Sequence, residues 1–204
     1  LNWLAGQVVL ESRGIAPLKS VGDKEHPRLQ VRFGIRWYAQ LALARVEFIV
    51  ENTKTFTAAE KFNYDVDVNL NGKSVYSRNG LDHYHHSRWH VYAWTGDAPQ
   101  INIQLDPDYL IATKAVPNYD KSFAPRESEL AKMNIGSTGP MSIGPVTAYM
   151  PTTGGRADIG SLPNWSVMWL LSQDKRAFDV MMAAADGSGS WSNHYRDEST
   201  GKPV

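Results

Sequence analysis

Phe62-Asn63-Tyr64-Asp65-Val66-Asp67-Val68-Asn69-Leu70 alternates without a break. Phe62, Tyr64, Val66, Val68 and Leu70 take one side, and Asn63, Asp65, Asp67 and Asn69 take the other. A period of two is that of an extended strand with one buried face. Asn71-Gly72 follows directly. Both residue types accept the positive φ of a type I′ turn, so the chain is expected to fold back into a strand over 73–77. The polar row could offer oxygens to calcium, but strand geometry spreads them apart, and a solvated sheet face is the plainer reading.

The same alternation extends in both directions from this hairpin. Leu29, Val31, Phe33, Ile35 and Trp37 alternate with Gln30, Arg32, Gly34, Arg36 and Tyr38. Val46, Phe48 and Val50 alternate within 45–51, and a short strand is expected at 7–12. Gly14, Pro17 and Gly22 read as punctuation after it, and Asn79-Gly80 as a second turn. Further strands are expected at 81–85, 88–94 and 100–105. Seven or eight short strands with turns between them predict an antiparallel β-sandwich or barrel-like domain over 1–105.

Beyond residue 105 the pattern changes. Asp106-Pro107 is an N-cap followed by a first-turn proline, and predicts a short helix to about Lys114. A second short helix is expected over 125–133. Residues 134–163 are dense in glycine and proline and read as a long loop. From Pro163 to Ala185 the apolar spacing is helical, with Trp165, Met168, Trp169 and Ser172 on one face. Phe178, Met181, Met182 and Ala185 form a later face, and a break is expected near 172–174. The fold class is therefore mainly β with C-terminal helices. The segment 106–204 is helical and loop-rich, the start of a truncated α/α domain.

Bulk properties narrow the function. The 204 residues carry 21 basic and 21 acidic side chains, so no nucleic-acid partner is expected. There is no cysteine, which removes disulfides and thiolate metal ligation. No apolar run reaches the length of a membrane span. The chain opens on Leu1 with no signal-like segment, and reads as a fragment or processed piece.

Two stretches hold five of the six histidines, interleaved with arginine and aromatic side chains. Asp82-His83-Tyr84-His85-His86-Ser87-Arg88-Trp89-His90 holds four of the six histidines. On a strand His83 and His85 would share one face, with Asp82, Tyr84 and His86 on the other. Such a His-x-His pair can ligate a metal, but no third ligand stands at a diagnostic spacing, so neither a metal nor a cofactor is assigned. A second reading makes Arg88, Trp89 and His90, with His83 and His85, a sugar-binding surface. Arginine grips a uronate carboxylate with two hydrogen bonds. The plain alternative is a set of strand histidines bonded to water and backbone.

The other stretch is Trp191-Ser192-Asn193-His194-Tyr195-Arg196-Asp197-Glu198. His194 and Tyr195 are potential acid–base groups and Arg196 a carboxylate holder, the ensemble a uronide lyase needs. A glycosidase would instead need two flanking carboxylates. A solvated loop is the alternative. Arg156, beside Gly154-Gly155, is a third candidate substrate contact, or a partner for Asp158 that pins the loop.

Leu81-Asp82-His83-Tyr84-His85-His86-Ser87-Arg88-Trp89, Ala115-Val116-Pro117-Asn118-Tyr119-Asp120 and Gly155-Arg156-Ala157-Asp158-Ile159-Gly160 resemble segments of bacterial carbohydrate-active proteins similar to exo-rhamnogalacturonan lyases. In these a β domain precedes an (α/α) toroid. The resemblance implies a secreted or periplasmic protein that acts on or binds a polysaccharide or oligosaccharide. It would be lyase-like or glycosidase-like; the resemblance supplies no catalytic residue position by position, and His194, Tyr195 and Arg196 are catalytic candidates on their own chemistry. The alternative is a non-catalytic glycan-binding or structural β module.

Overall fold

The computed structural model describes residues 2–55, 58–100, 103–147, 156, 159–160 and 162–204. Its strands are β1 (Asn2–Ala5), β2 (Val9–Lys19), β3 (Glu25–Tyr38), β4 (Leu43–Asn52), β5 (Phe62–Leu70), β6 (Lys73–His83) and β7 (Ser87–Trp94). One antiparallel sheet runs β1-β2-β3-β4-β7, and β5-β6 form a second, two-stranded sheet. The fold is thus mainly antiparallel β, a sandwich followed by short helices, as the alternation predicts.

The two sheets meet through a core of Val50, Val66, Leu81 and Trp89, with Val31, Tyr64, Val68 and Tyr76 packed around it. Each of these comes from the apolar side of its strand. Burying a side chain of this size is worth roughly 1.5–3 kcal/mol, so the alternation itself holds the sheets face to face.

The β5–β6 hairpin turns where expected, with Asn71 at φ 53° and Gly72 at φ 76°. Asn79-Gly80 does not turn. Opposite it the register slips between Tyr64 and Val66, and the Gly80 amide donates to the Asp65 carboxylate at 2.8 Å. The glycine sits in a bulge at φ 63°, and β6 continues to His83. Gly14 and Pro17 do not end β2 either. Gly14 instead leaves room for Phe33, whose ring would lie 2.4 Å from an added Cβ. Among the described residues of 100–105 there is no strand; β1, at the edge of the large sheet, had no signal in the sequence.

The chain divides into two compact units. The first comprises 1–99, 139–142 and 187–204, and the second 100–138 and 143–186. The first unit therefore draws on three separate pieces of chain, whereas the residue pattern predicts a single boundary at 105/106.

The second unit contains α1 (Pro107–Ala112), α2 (Glu127–Leu130), α3 (Asn164–Ser172) and α4 (Lys175–Asp186). Asp106 caps α1 by accepting the Tyr109 amide at 3.0 Å. Leu130, Met168, Trp169 and Ala177 form its core. The break between α3 and α4 falls at Gln173, in the left-handed region at φ 53°. The buried side of α4 is Ala177, Val180 and Ala183; Phe178 and Met181 of the expected face pack against the core, while Met182 and Ala185 are exposed. Gly144 packs on the Ala183 carbonyl, which would lie 2.5 Å from an added Cβ.

Candidate functional site

β4 exposes two chemistries on its two sides. Val46, Phe48 and Val50 enter the sandwich. Glu47, Ile49 and Glu51 point to the other face of the large sheet. Register sets their neighbours there. Gln30 lies opposite Glu51 on β3, and Arg88 lies opposite it on β7. Ile49 faces Arg32 and His90, Glu47 faces Tyr92, and Arg36 lies beside Glu11 of β2.

Glu51 is 1 % exposed. Such burial of a carboxylate is tolerated only with strong pairing. Its Oε2 accepts from Arg32 Nε at 2.6 Å and Arg196 Nε at 2.9 Å, and its Oε1 accepts from Arg196 Nη2 at 3.1 Å. Arg88 Nη1 stands further off, at 3.9 Å. Arg196 reaches the site because the tail runs beside the residues after β4. Its amide donates to the Thr53 carbonyl at 2.7 Å, and its carbonyl accepts from the Thr55 amide at 2.9 Å. The His194 amide donates to the His86 carbonyl at 2.9 Å, and the Tyr195 and His86 rings lie 4.4 Å apart. The two stretches singled out in the sequence are therefore neighbours in space.

Further along the same face, Glu11 accepts from Arg13 at 2.7 Å and from Arg36. Burial raises the Glu11 pKa, but the two arginine hydrogen bonds outweigh it and the net shift is down. His90 Nδ1 donates to Glu47 at 2.7 Å, and this bond holds Glu47 below its usual range. Arg45 lies over the Tyr92 ring at 5.2 Å, and Arg13 over Trp3 at 4.2 Å. Arg13, Arg32, Arg36, Arg45, Arg88 and Arg196 face Glu11, Glu47 and Glu51, a surplus of three positive charges in a chain whose formal net charge is zero.

The histidine stretch divides. His83 is wholly buried. Its Nε2 can only donate to the Ser87 carbonyl at 3.0 Å, so Nδ1 accepts from the Tyr64 hydroxyl at 2.8 Å. Tyr64 in turn accepts from Trp89 Nε1 at 2.8 Å. Burial pushes the His83 pKa down to about 4 and that of Tyr64 up to about 12. His83 and Trp89, expected among the sugar contacts, are thus members of a neutral core chain, with no surface to offer a ligand.

β6 ends at His83, and Tyr84-His85-His86 is the loop into β7, so strand alternation does not govern it. His86 has φ 61°. The His85 and His86 rings stack at 3.7 Å, and His85 Nε2 donates to the Lys54 carbonyl at 3.0 Å. Burial and then the neighbouring His85 lower the His86 pKa.

His194 Nε2 donates to the Ser188 carbonyl at 3.1 Å, Arg196 is committed to Glu51, and Tyr195 is exposed. Arg156 donates to the Thr147 carbonyl at 2.5 Å, within the second unit. Asp158 and the Gly154-Gly155 pair lie outside the described residues. Among the described residues no three histidines or carboxylates are grouped to hold a metal ion. No helix among them is long and apolar enough to cross a membrane.

Sequence reasoning missed Glu51, Arg32, Arg36 and Glu11. Their positions on the polar side of each strand were readable. Their convergence depends on register between strands. Comparison of the chain with family models, with curated proteins and with solved structures returns no match.

Proposed function

We propose that the β unit binds an acidic polysaccharide or oligosaccharide on the polar face of its large sheet. The observation that carries this reading is the charge surplus there, six arginines against three glutamates. The exposed rings of Tyr92 and Trp3 lie among them and offer flat apolar surface to a pyranose. Arginine is the side chain best matched to planar carboxylates. The resemblance to exo-rhamnogalacturonan lyases points to the same class of polymer, and a secreted or periplasmic location belongs to the same proposal.

Binding is preferred to lyase-like or glycosidase-like chemistry on geometric grounds. Glu47 and Glu51 sit four residues apart on one strand, roughly 13 Å by strand rise. A glycosidase pair stands about 5–9.5 Å apart. Arg196 of the lyase-like trio is occupied by Glu51, and His194 is tied to Ser188.

The test is affinity electrophoresis of the full chain through gels containing polygalacturonate or a neutral glucan, with an ultraviolet assay for unsaturated uronide. We expect retardation by the acidic polymer only, weakening as salt is raised, and no unsaturated product. Equal mobility in the presence and absence of every acidic polymer would reject the reading.

A further inference from the structure

We infer that Arg88, backed by Arg32 and Arg196, is the carboxylate-holding subsite of this face, and that the group it takes is the C6 carboxylate of a sugar acid. The inference rests on the acidic-glycan reading above and narrows it to one residue and one anion.

The three guanidiniums around Glu51 are not equivalent. Arg32 and Arg196 hold its carboxylate by hydrogen bonds of 2.6–3.1 Å. Arg32 also donates to Gln30 at 3.1 Å, and Arg196 to the Gly201 carbonyl at 3.3 Å. Arg88 stands 3.9 Å from Glu51, beyond hydrogen-bond range, and its guanidinium makes no hydrogen bond to another side chain or carbonyl among the described residues. Its side chain is 40 % exposed, against 20 % for Arg32 and 19 % for Arg196. Arg88 is the member with donors to spare and a route to solvent.

Charge supplies the drive. Three guanidiniums surround the Glu51 carboxylate, and the next carboxylate within electrostatic reach of Arg88, Glu47, is already hydrogen-bonded to His90, so positive charge is in surplus in a partly buried patch where screening by water is reduced. A second carboxylate beside Arg88 would relieve that repulsion.

Position is supplied by packing. The short helical turn at 187–190 brings Gly189 against Arg88. A Cβ on Gly189 would lie 2.7 Å from the Arg88 carbonyl oxygen and 3.1 Å from its Cγ. Only glycine lets the turn approach this closely, so the stem of Arg88 is confined before a ligand arrives. A guanidinium held in this way loses less entropy on forming a two-pronged bond with a planar carboxylate.

The experiment compares the full chain with its Arg88→Lys and Arg88→Met variants. Both keep an unbranched stem against Gly189, and each is checked for the parent's near-ultraviolet circular dichroism. The probes are oligogalacturonate, its carboxyl-reduced counterpart and a sulfated oligosaccharide. The parent should bind oligogalacturonate at least about tenfold more tightly than the other two. Arg88→Met should lose about tenfold in affinity, and Arg88→Lys most of that, because an ammonium cannot form the paired bond. Wild-type affinity in folded Arg88→Met overturns the residue assignment while acidic-glycan binding stands. Equal binding of the carboxyl-reduced or the sulfated probe overturns the carboxylate assignment. A parent chain that binds no acidic probe overturns both this inference and the reading it rests on.

Discussion

His83 illustrates how burial decides what a side chain can do. The same imidazole that suggests a metal or sugar contact in the sequence is enclosed by Tyr64, Trp89 and the Ser87 carbonyl, and holds no proton to spare. Its pKa falls from the ordinary 6.5 to about 4 because burial disfavours the cation. The unfolded chain therefore binds the extra proton between those values, and stability rises with pH across that window and is complete above it. His86 shifts in the same direction. The paired carboxylates, Glu11 and Glu47 among them, are depressed and lose their share only at lower pH. We expect urea unfolding to show a loss of at least about 1.4 kcal/mol between pH 8 and pH 5.5. His83→Phe should keep only the part due to His86 and to His26, whose pKa burial also lowers, starting from a lower stability at pH 8. An unchanged pH slope in that variant would contradict the assignment.

At the scale of elements, the hairpin and the helix pair show two ways of changing direction. β5–β6 turns on Asn71-Gly72, residue types suited to positive φ. The break between α3 and α4 turns on Gln173, which is not. Gln173 is kept there by its amide. Oε1 accepts the Leu105 amide at 3.0 Å, and Nε2 donates to the Leu105 carbonyl at 3.2 Å. Two hydrogen bonds of this type offset about 1 kcal/mol of left-handed strain. Gln173→Ala should therefore destabilise the second unit by about 2 kcal/mol, because it loses both bonds and keeps the strain. Gln173→Gly should cost about 1 kcal/mol less, because glycine removes the strain. Denaturant unfolding followed by the fluorescence of Trp165 and Trp169 reads both. Equal stability of Ala and Gly variants would show that the turn stores no strain.

At the scale of the whole molecule, the first unit is completed by chain that lies far along the sequence. Arg196 binds a carboxylate 145 residues away, and the backbone from His194 to Arg196 pairs with the His86 loop and with Thr53 to Thr55. A chain ending at Asp186 would leave Glu51 buried with Arg32 and the more distant Arg88. Breaking a buried ion pair in this way costs about 3–5 kcal/mol. We expect the truncated chain to unfold at markedly lower urea than the full chain, and Arg196→Ala to reproduce most of the drop. A truncated chain with the full-length midpoint would mean that the tail contributes nothing to the β unit.

The sequence by itself determined the local periods. Five apolar residues at alternate positions of β5 dictate a half-buried strand, and Asn71-Gly72 a tight reversal. Asp106-Pro107 starts a helix, and the apolar spacing from Trp165 onward predicts two helices with a break near Gln173. These are contacts between near neighbours, and the residue types settle them. Only the tertiary structure decided that the tail joins the first unit, that Asn79-Gly80 is a bulge, and that His83 and Trp89 are core. It also decided that Arg32, Arg88 and Arg196 converge on Glu51. Each of these depends on strand register or on segments that meet across many residues. The free energy of such pairing depends on partners that no local pattern specifies.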